Sequence, residues 1–162
     1  MRPRSWAVAF LAAGVLVLGV LQARFDMLST LTHRGCRTTL CCEDCPSIRV
    51  SRVIDGDTLD SPAGRVRLFG VDTPERGQRC YAQATELLRK LAGSSVRVEV
   101  GPRGTDPNGR LLFYAYTRHG ESIEERLIRE GLGQAWTQDG QHRDLLVELE
   151  RQAQTSGSGC LW

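Results

Sequence analysis

Three short segments gather charge where a purely structural chain would avoid it: Asp55-Gly56-Asp57-Thr58, Arg67-Leu-Phe-Gly-Val-Asp72-Thr73-Pro74-Glu75 and Asp106-Pro-Asn-Gly109-Arg110. Each falls at a turn or strand end, where chemistry is usually presented. Asp57 and Asp72 carry the first inference. If the strand before Asp57 neighbours the strand before Asp72, the two carboxylates face each other, and one must protonate unless a cation lies between them. The three histidines, His33, His119 and His142, lie outside all three segments. Oxygen-only ligation favours a hard ion, Ca2+ or Mg2+. Pro74 biases Thr73 toward extended backbone, which aims the Thr73 carbonyl at such an ion. Arg67 and Arg110 are two guanidiniums that neutralise a phosphate approaching five-coordinate geometry beside the cation. Glu75, three residues past Asp72, is placed to orient or deprotonate an attacking water. Taken singly, the segments also read as a hairpin turn, a capped helix start and a tight turn. Together and in this order they form a set for phosphodiester hydrolysis.

The elements that must position these residues are legible from periodicity. Ile48, Val50 and Val53 predict a strand running into Ile54, followed by the Asp-Gly-Asp turn. Thr58 to Asp60 leads into a second turn, Ser61-Pro-Ala-Gly64, and Arg65 to Phe69 alternates as a third strand. Tyr81 to Ala92 is predicted helical, with Tyr81, Ala84, Leu87, Leu88 and Leu91 on one face and Gly93 as the stop. Val96, Val98 and Val100 alternate as a half-buried strand; Gly101 to Gly109 reads as a loop, and Leu111 to Thr117 as the last strand. Ser122-Ile-Glu-Glu125 is a capping box opening a helix through Glu130, and Leu145 to Ala153 is the third helix. Short strands with a helix after the third match an α+β fold: an OB-fold, a five-stranded barrel plus three helices. That architecture alone does not establish function.

Charge distribution excludes a broadly basic nucleic-acid-binding surface. Before Ser47 there are five arginines and three acids; from Ser47 onward 16 basic residues balance 16 acidic ones. Binding of a polyanion must therefore come from a local site. Lys90 is the sole lysine, so the positive charge is arginine, whose planar fork suits phosphate. Arg2 and Arg4 precede an uncharged apolar run from Trp6 to Leu21, the pattern of an export signal. As a helix the run spans roughly 24 Å, short of a bilayer core of about 30 Å. Residues 1–23 thus read as a signal peptide with Ala23 as a candidate cleavage position, or as a retained membrane anchor. Residues 24–46 read as a Cys-rich linker and 47–162 as the catalytic domain. Cys36, Cys41, Cys42 and Cys45 crowd together, while Cys80 and Cys160 stand far apart. Behind an export signal, an even count points to disulfides, with Cys80–Cys160 tying the tail to the body. A four-thiolate zinc site is the alternative for the crowded group.

The runs Val53-Ile-Asp-Gly-Asp-Thr58, Arg67-Leu-x-x-Val-Asp-Thr-Pro-Glu75, Asp106-x-x-Gly-Arg110 and Gly159-Cys-Leu-Trp162 resemble the signature of the staphylococcal nuclease (thermonuclease) family, SNase-like, over Ile48 to Trp162. The resemblance implies the OB-type barrel with three helices and Ca2+-dependent endonucleolytic hydrolysis of DNA and RNA by an exported monomer, membrane-associated if the N-terminal segment is retained. By position it implies Asp57 and Asp72 as metal ligands, completed by the Thr73 carbonyl, with Asp55 near the ion through water. It implies Glu75 for the attacking water and Arg67 and Arg110 for the phosphate. The sequence departs from the family where tyrosines flank the nucleotide: Thr137 and Asp139 stand there instead. Trp136 is then a candidate base contact, with a core position as the alternative. The competing functional class is a non-catalytic nucleic-acid- or protein-binding module, which in degenerate members lacks some of the acids or arginines; all six charged positions are present here. A third reading is a tethered partner module that binds through its Cys-rich segment.

Overall fold

A curled, six-stranded half-barrel organises the chain, seen in a computed structural model that describes residues 36–162. The apolar N-terminal run, and the signal and anchor readings made of it, lie outside the described residues. Among the described residues, no helix is long and apolar enough to cross a membrane. The strands are β1 (Ser47–Arg49), β2 (Arg52–Val53), β3 (Thr58–Ser61), β4 (Gly64–Leu68), β5 (Val71–Asp72), β6 (Ser95–Thr105), β7 (Leu111–Tyr116) and β8 (Gln134–Ala135). The helices are α1 (Tyr81–Ala92), α2 (Ile123–Arg129) and α3 (Arg143–Thr155). The sheet order is β1-β6-β7-β4-β3-β2, with β5 and β8 paired apart from it. All pairs are antiparallel except β4 with β7. This is the OB-type α+β architecture that the sequence implies.

Alternation decides which residues reach the site. Along β4, Val66 and Leu68 are buried, so Arg65 and Arg67 occupy the opposite face. The β3–β4 turn closes where Gly64 takes φ 128°, and the Ser61 hydroxyl donates to the Gly64 carbonyl (2.8 Å). Leu59, Val66, Leu68 and Val96 from the sheet pack with Leu88, Ile123, Leu127 and Leu146 from the helices. Each such burial is worth about 1.5–3 kcal/mol.

Several expectations change. Ile48 to Ile54 is not one strand. The Val50 N–H donates to Ser94, whereas the Ser51 N–H donates to Asp60, so adjacent residues turn to different neighbours. β1 therefore pairs only with β6, and β2 with β3. The strand before Asp57 consequently does not neighbour β4, and Asp57 and Asp72 are brought together by another route. The stretch from Gly101 is not all loop: β6 continues through an irregularity after Val100 to pair Thr105 with Leu111. The capping box is half formed. Ser122 Oγ accepts from the Glu125 N–H (3.2 Å), but the Glu125 carboxylate accepts from Thr39 and Leu40 N–H (both 2.9 Å) instead of reaching back.

The cysteines are paired as Cys36–Cys41, Cys42–Cys45 and Cys80–Cys160. Sulfurs committed in this way exclude the four-thiolate zinc alternative. Residues 36–46 lie against the body through Glu125, through the Cys42 N–H on the Gly120 carbonyl, and through Pro46, whose carbonyl accepts from Val98.

Candidate active site

Asp57 is the buried centre of the site. Its side chain is 8% exposed, against 59% for Asp72. The turn that delivers it presses close to its neighbours: a Cβ on Gly56 would lie 2.5 Å from Thr73 Oγ1 and 2.7 Å from the Ala84 Cβ, so only glycine fits. Asp55 shapes the same turn by accepting from the Asp57 N–H at 3.1 Å. Both Asp57 oxygens are engaged. Oδ2 accepts from the Thr73 N–H and hydroxyl, each at 2.8 Å; Oδ1 accepts from the Thr58 hydroxyl at 3.1 Å and lies 3.2 Å from Arg67 Nε. Burial pushes the Asp57 carboxyl above its ordinary value, with Arg67 and Thr73 working against that rise.

Arg67 joins the two acids. β4 aligns it opposite Thr58, the residue after Asp57. Its Nη1 donates to the carbonyls of Leu68 (2.7 Å) and Val71 (2.6 Å), and its Nη2 donates to Asp72 Oδ1 (2.6 Å). A guanidinium thus answers the repulsion that sequence reasoning assigned to a metal ion. Charge balance at this pair does not by itself require a cation. The donor set still fits one. Asp57 and Asp72 would supply carboxylate oxygens and Thr73 a backbone carbonyl, an all-oxygen set of the kind that suits a hard divalent ion.

Arg110 is positioned by its own turn. Asp106 accepts from the backbone N–H groups of Asn108 and Arg110 (both 2.9 Å) and from Arg110 Nε (2.6 Å). Burial opposes ionisation of Asp106, but these bonds outweigh it and hold the carboxyl below its ordinary value. Arg110 Nη1 and Nη2 make no hydrogen bond among the described residues.

Arg67, Asp72, Glu75, Arg110 and Trp136 line one cleft of about 320 Å³. Asp57, Asp55 and Thr73 do not line it; Asp57 meets it through Arg67. The Glu75 backbone N–H donates to Gln78 Oε1 (2.7 Å), which fixes the chain at the rim. Trp136 is half-buried, and its indole donates to Asp139 Oδ1 (2.8 Å). Asp139 Oδ2 in turn holds Arg103 Nε at 2.8 Å, and the Arg103 guanidinium sits 5.3 Å from the centre of the Phe69 ring. Arg103 and Phe69 line the same cleft. Sequence reasoning missed both, together with Asp139 as the link. The only signal for Arg103 was a charge in a stretch read as loop.

The model of the staphylococcal nuclease homologue family matches residues 65–162. The chain belongs to this family. A thermonuclease from Staphylococcus intermedius is 35% identical over 121 residues, covering 67% of this chain and 71% of that one. A protein named as an uncharacterized endonuclease from Escherichia coli is 33% identical over 120 residues, covering 70% and 75%. A micrococcal nuclease from Shigella flexneri is 30% identical over 126 residues, covering 70% and 71%. Similarity to named nucleases supports nuclease activity in general and a nucleic acid as substrate. The staphylococcal nuclease family match spans Arg67, Asp72, Glu75 and Arg110, whereas Asp55 and Asp57 precede it.

Proposed function

We propose that the protein is a Ca2+-dependent endonuclease that hydrolyses phosphodiester bonds in DNA and RNA. The observation that carries this is the gathering of Arg67, Asp72, Glu75 and Arg110 on one cleft, with Arg67 in contact with buried Asp57. Asp57, Asp72 and the Thr73 carbonyl would hold the cation, with Asp55 reaching it through water. Ca2+ would supply Lewis-acid stabilisation of charge on the phosphoryl oxygens. Water would add to phosphorus as Glu75 takes its proton, the ester P–O bond would break, and the departing alkoxide would take a proton from solvent. Arg67 Nη1 stays fixed on two backbone carbonyls, so Nε and Nη2 are the nitrogens that meet anions: carboxylates here, phosphate oxygens with substrate bound. Arg110, with Nε anchored, offers both terminal nitrogens to the same phosphate. Trp136, braced by Asp139, provides an aromatic face for a base.

The test is cleavage by the purified protein of single-stranded and duplex DNA and of RNA, with Ca2+ and with chelator. Ca2+-dependent cleavage of internal bonds is the expected result; its absence at neutral to alkaline pH sinks the reading. We also propose that the protein is exported, on the strength of the N-terminal apolar run and the disulfides, and works as a monomer. Recovery of the chain solely from the cytoplasm would contradict export.

A further inference from the structure

A second, larger cleft of about 620 Å³ adjoins the candidate active site, and Asn108 and Arg110 line both. Arg65 lines this second cleft but not the first. Its place follows from the sheet. β4 pairs in parallel with β7 in the register Val66 to Leu111, so Arg65 and Arg110 immediately precede that pair on neighbouring strands. Arg65 also shares the exposed face of β4 with Arg67, two residues on, a rise of about 7 Å along the strand. That step is on the scale of one nucleotide in an extended strand.

The bonding of Arg65 repeats that of Arg110. Arg65 Nε is anchored on Asp60 Oδ1 (2.9 Å), and its terminal nitrogens make no hydrogen bond among the described residues. Asp60 also holds Arg52 Nη2 at 2.8 Å, so one carboxylate faces two guanidiniums and the pair of arginines keeps a surplus positive charge. An arginine oriented through Nε, with its two-pronged end uncommitted, is arranged for a phosphate.

We propose that Arg65, beside Arg110 and its scissile phosphate, forms a subsite for the next phosphate along the strand. The substrate is then an extended single strand of DNA or RNA that runs along β4 toward the β3–β4 turn. This rests on the phosphodiesterase reading of the neighbouring cleft. It adds that the protein grips more than the reacting phosphate. The subsite contacts backbone only, so it is indifferent to base and sugar.

Binding tests it apart from catalysis. Labelled single-stranded 12-mers of DNA and of RNA are titrated by fluorescence anisotropy with the Glu75→Gln protein, alone and combined with Arg65→Ala, Arg65→Lys or Arg52→Ala, over a range of salt concentrations. Arg65→Ala is expected to weaken binding about tenfold at low salt. It should also lower the slope of log affinity against log salt by about 0.7, the loss of one phosphate contact to a single strand. Arg65→Lys should keep the slope. Arg52→Ala removes the same charge from the same carboxylate but from outside the cleft, and should change affinity less than twofold. An unchanged slope in Arg65→Ala, an equal loss in Arg52→Ala, or a loss confined to one of the two nucleic acids would overturn the subsite. Failure of the wild-type protein to cleave would instead count against the phosphodiesterase reading and leave these binding results standing.

Discussion

Arg67 and Glu75 illustrate how two charged residues in one cleft carry different obligations. Arg67 is 14% exposed and is the counter-charge of a carboxylate that burial already pushes toward protonation. Glu75 is exposed, and its carboxylate has no hydrogen-bond partner among the described residues. Loss of either should cut turnover by about a hundredfold or more, the effect of removing a charge-stabilising donor or a general base. Stability should separate them. Arg67→Ala leaves Asp57 buried without its cation and is expected to cost about 3 kcal/mol, whereas Glu75→Ala should stay within about 0.5 kcal/mol. Denaturant titration beside steady-state kinetics checks both; equal stability of the two variants would mean that Arg67 is not the counter-charge of Asp57. The acids and arginines of this site were legible because each lies inside a run with its own turn chemistry. The Arg103–Asp139–Trp136 link was not, because its members come from β6 and from the loop after β8 and meet only in the fold. Nor could sequence reveal that Arg67 lies between the two acids, since that depends on its rotamer and on the carbonyls of Leu68 and Val71.

The helices and β4 were legible from their period; the two-residue strands were not, nor was the half of β6 after Val100, where the ladder is irregular. α1 buries Ala84, Leu87 and Leu88 of its predicted face and leaves Tyr81 and Leu91 half-buried; α3 buries Leu146, Leu149 and Ala153 and leaves Leu145 half-buried; β4 alternates from Arg65 to Leu68, whereas β7 buries Tyr114, Ala115 and Tyr116 in succession. β5 and β8 are two residues each, too short for any alternation, yet β5 ends in Asp72. Helix α2 hides a different feature: Glu124, in its first turn, is fully buried. Its carboxylate accepts from the Ala115 N–H (2.8 Å) and meets the Ser122 hydroxyl (3.4 Å). Burial raises its pKa to about 8 from an ordinary 4.5, and nearby Glu99 adds to the rise. Below pH 4.5 the folded and unfolded chains both hold this proton, and the group costs nothing. Between pH 4.5 and about 8 the unfolded chain ionises while the folded chain does not, so stability falls as pH rises, by on the order of 4 kcal/mol in all. Glu124→Gln keeps an acceptor for Ala115 and removes the titration. The variant should therefore match the wild type near pH 4.5 and exceed it increasingly toward pH 8 in urea denaturation. A constant difference across that range would show that Glu124 does not titrate between the two states.

At the scale of the whole molecule, the bridge from Cys80 to Cys160 closes a loop of 80 residues. That loop contains α1, β6, β7, α2, β8 and α3, and its near end is the residue from which α1 starts. Cys80 itself takes φ 72°, unusual for a residue with a side chain, and it caps α1 without a side-chain hydrogen bond. The helix so positioned presses Ala84 against the Asp55-Gly56-Asp57 turn, so the covalent tie and the buried acid of the site share a wall. Restricting so long a loop in the unfolded chain is worth about 4 kcal/mol. Replacing both cysteines with serine should therefore lower the midpoint of thermal unfolding by roughly 10–15 °C. Neither Cys80 nor Cys160 lines the cleft, so activity at 25 °C should stay within about threefold of the wild type as long as the variant is folded. Differential scanning calorimetry and a temperature series of cleavage rates on one preparation read both quantities. If activity falls at 25 °C while the unfolding midpoint holds, the bridge acts on the site through α1 and the Gly56 contact, not through the unfolded state. If the midpoint falls and activity holds, the disulfide is a stability device for a chain that meets an oxidising environment, as the proposal of export requires.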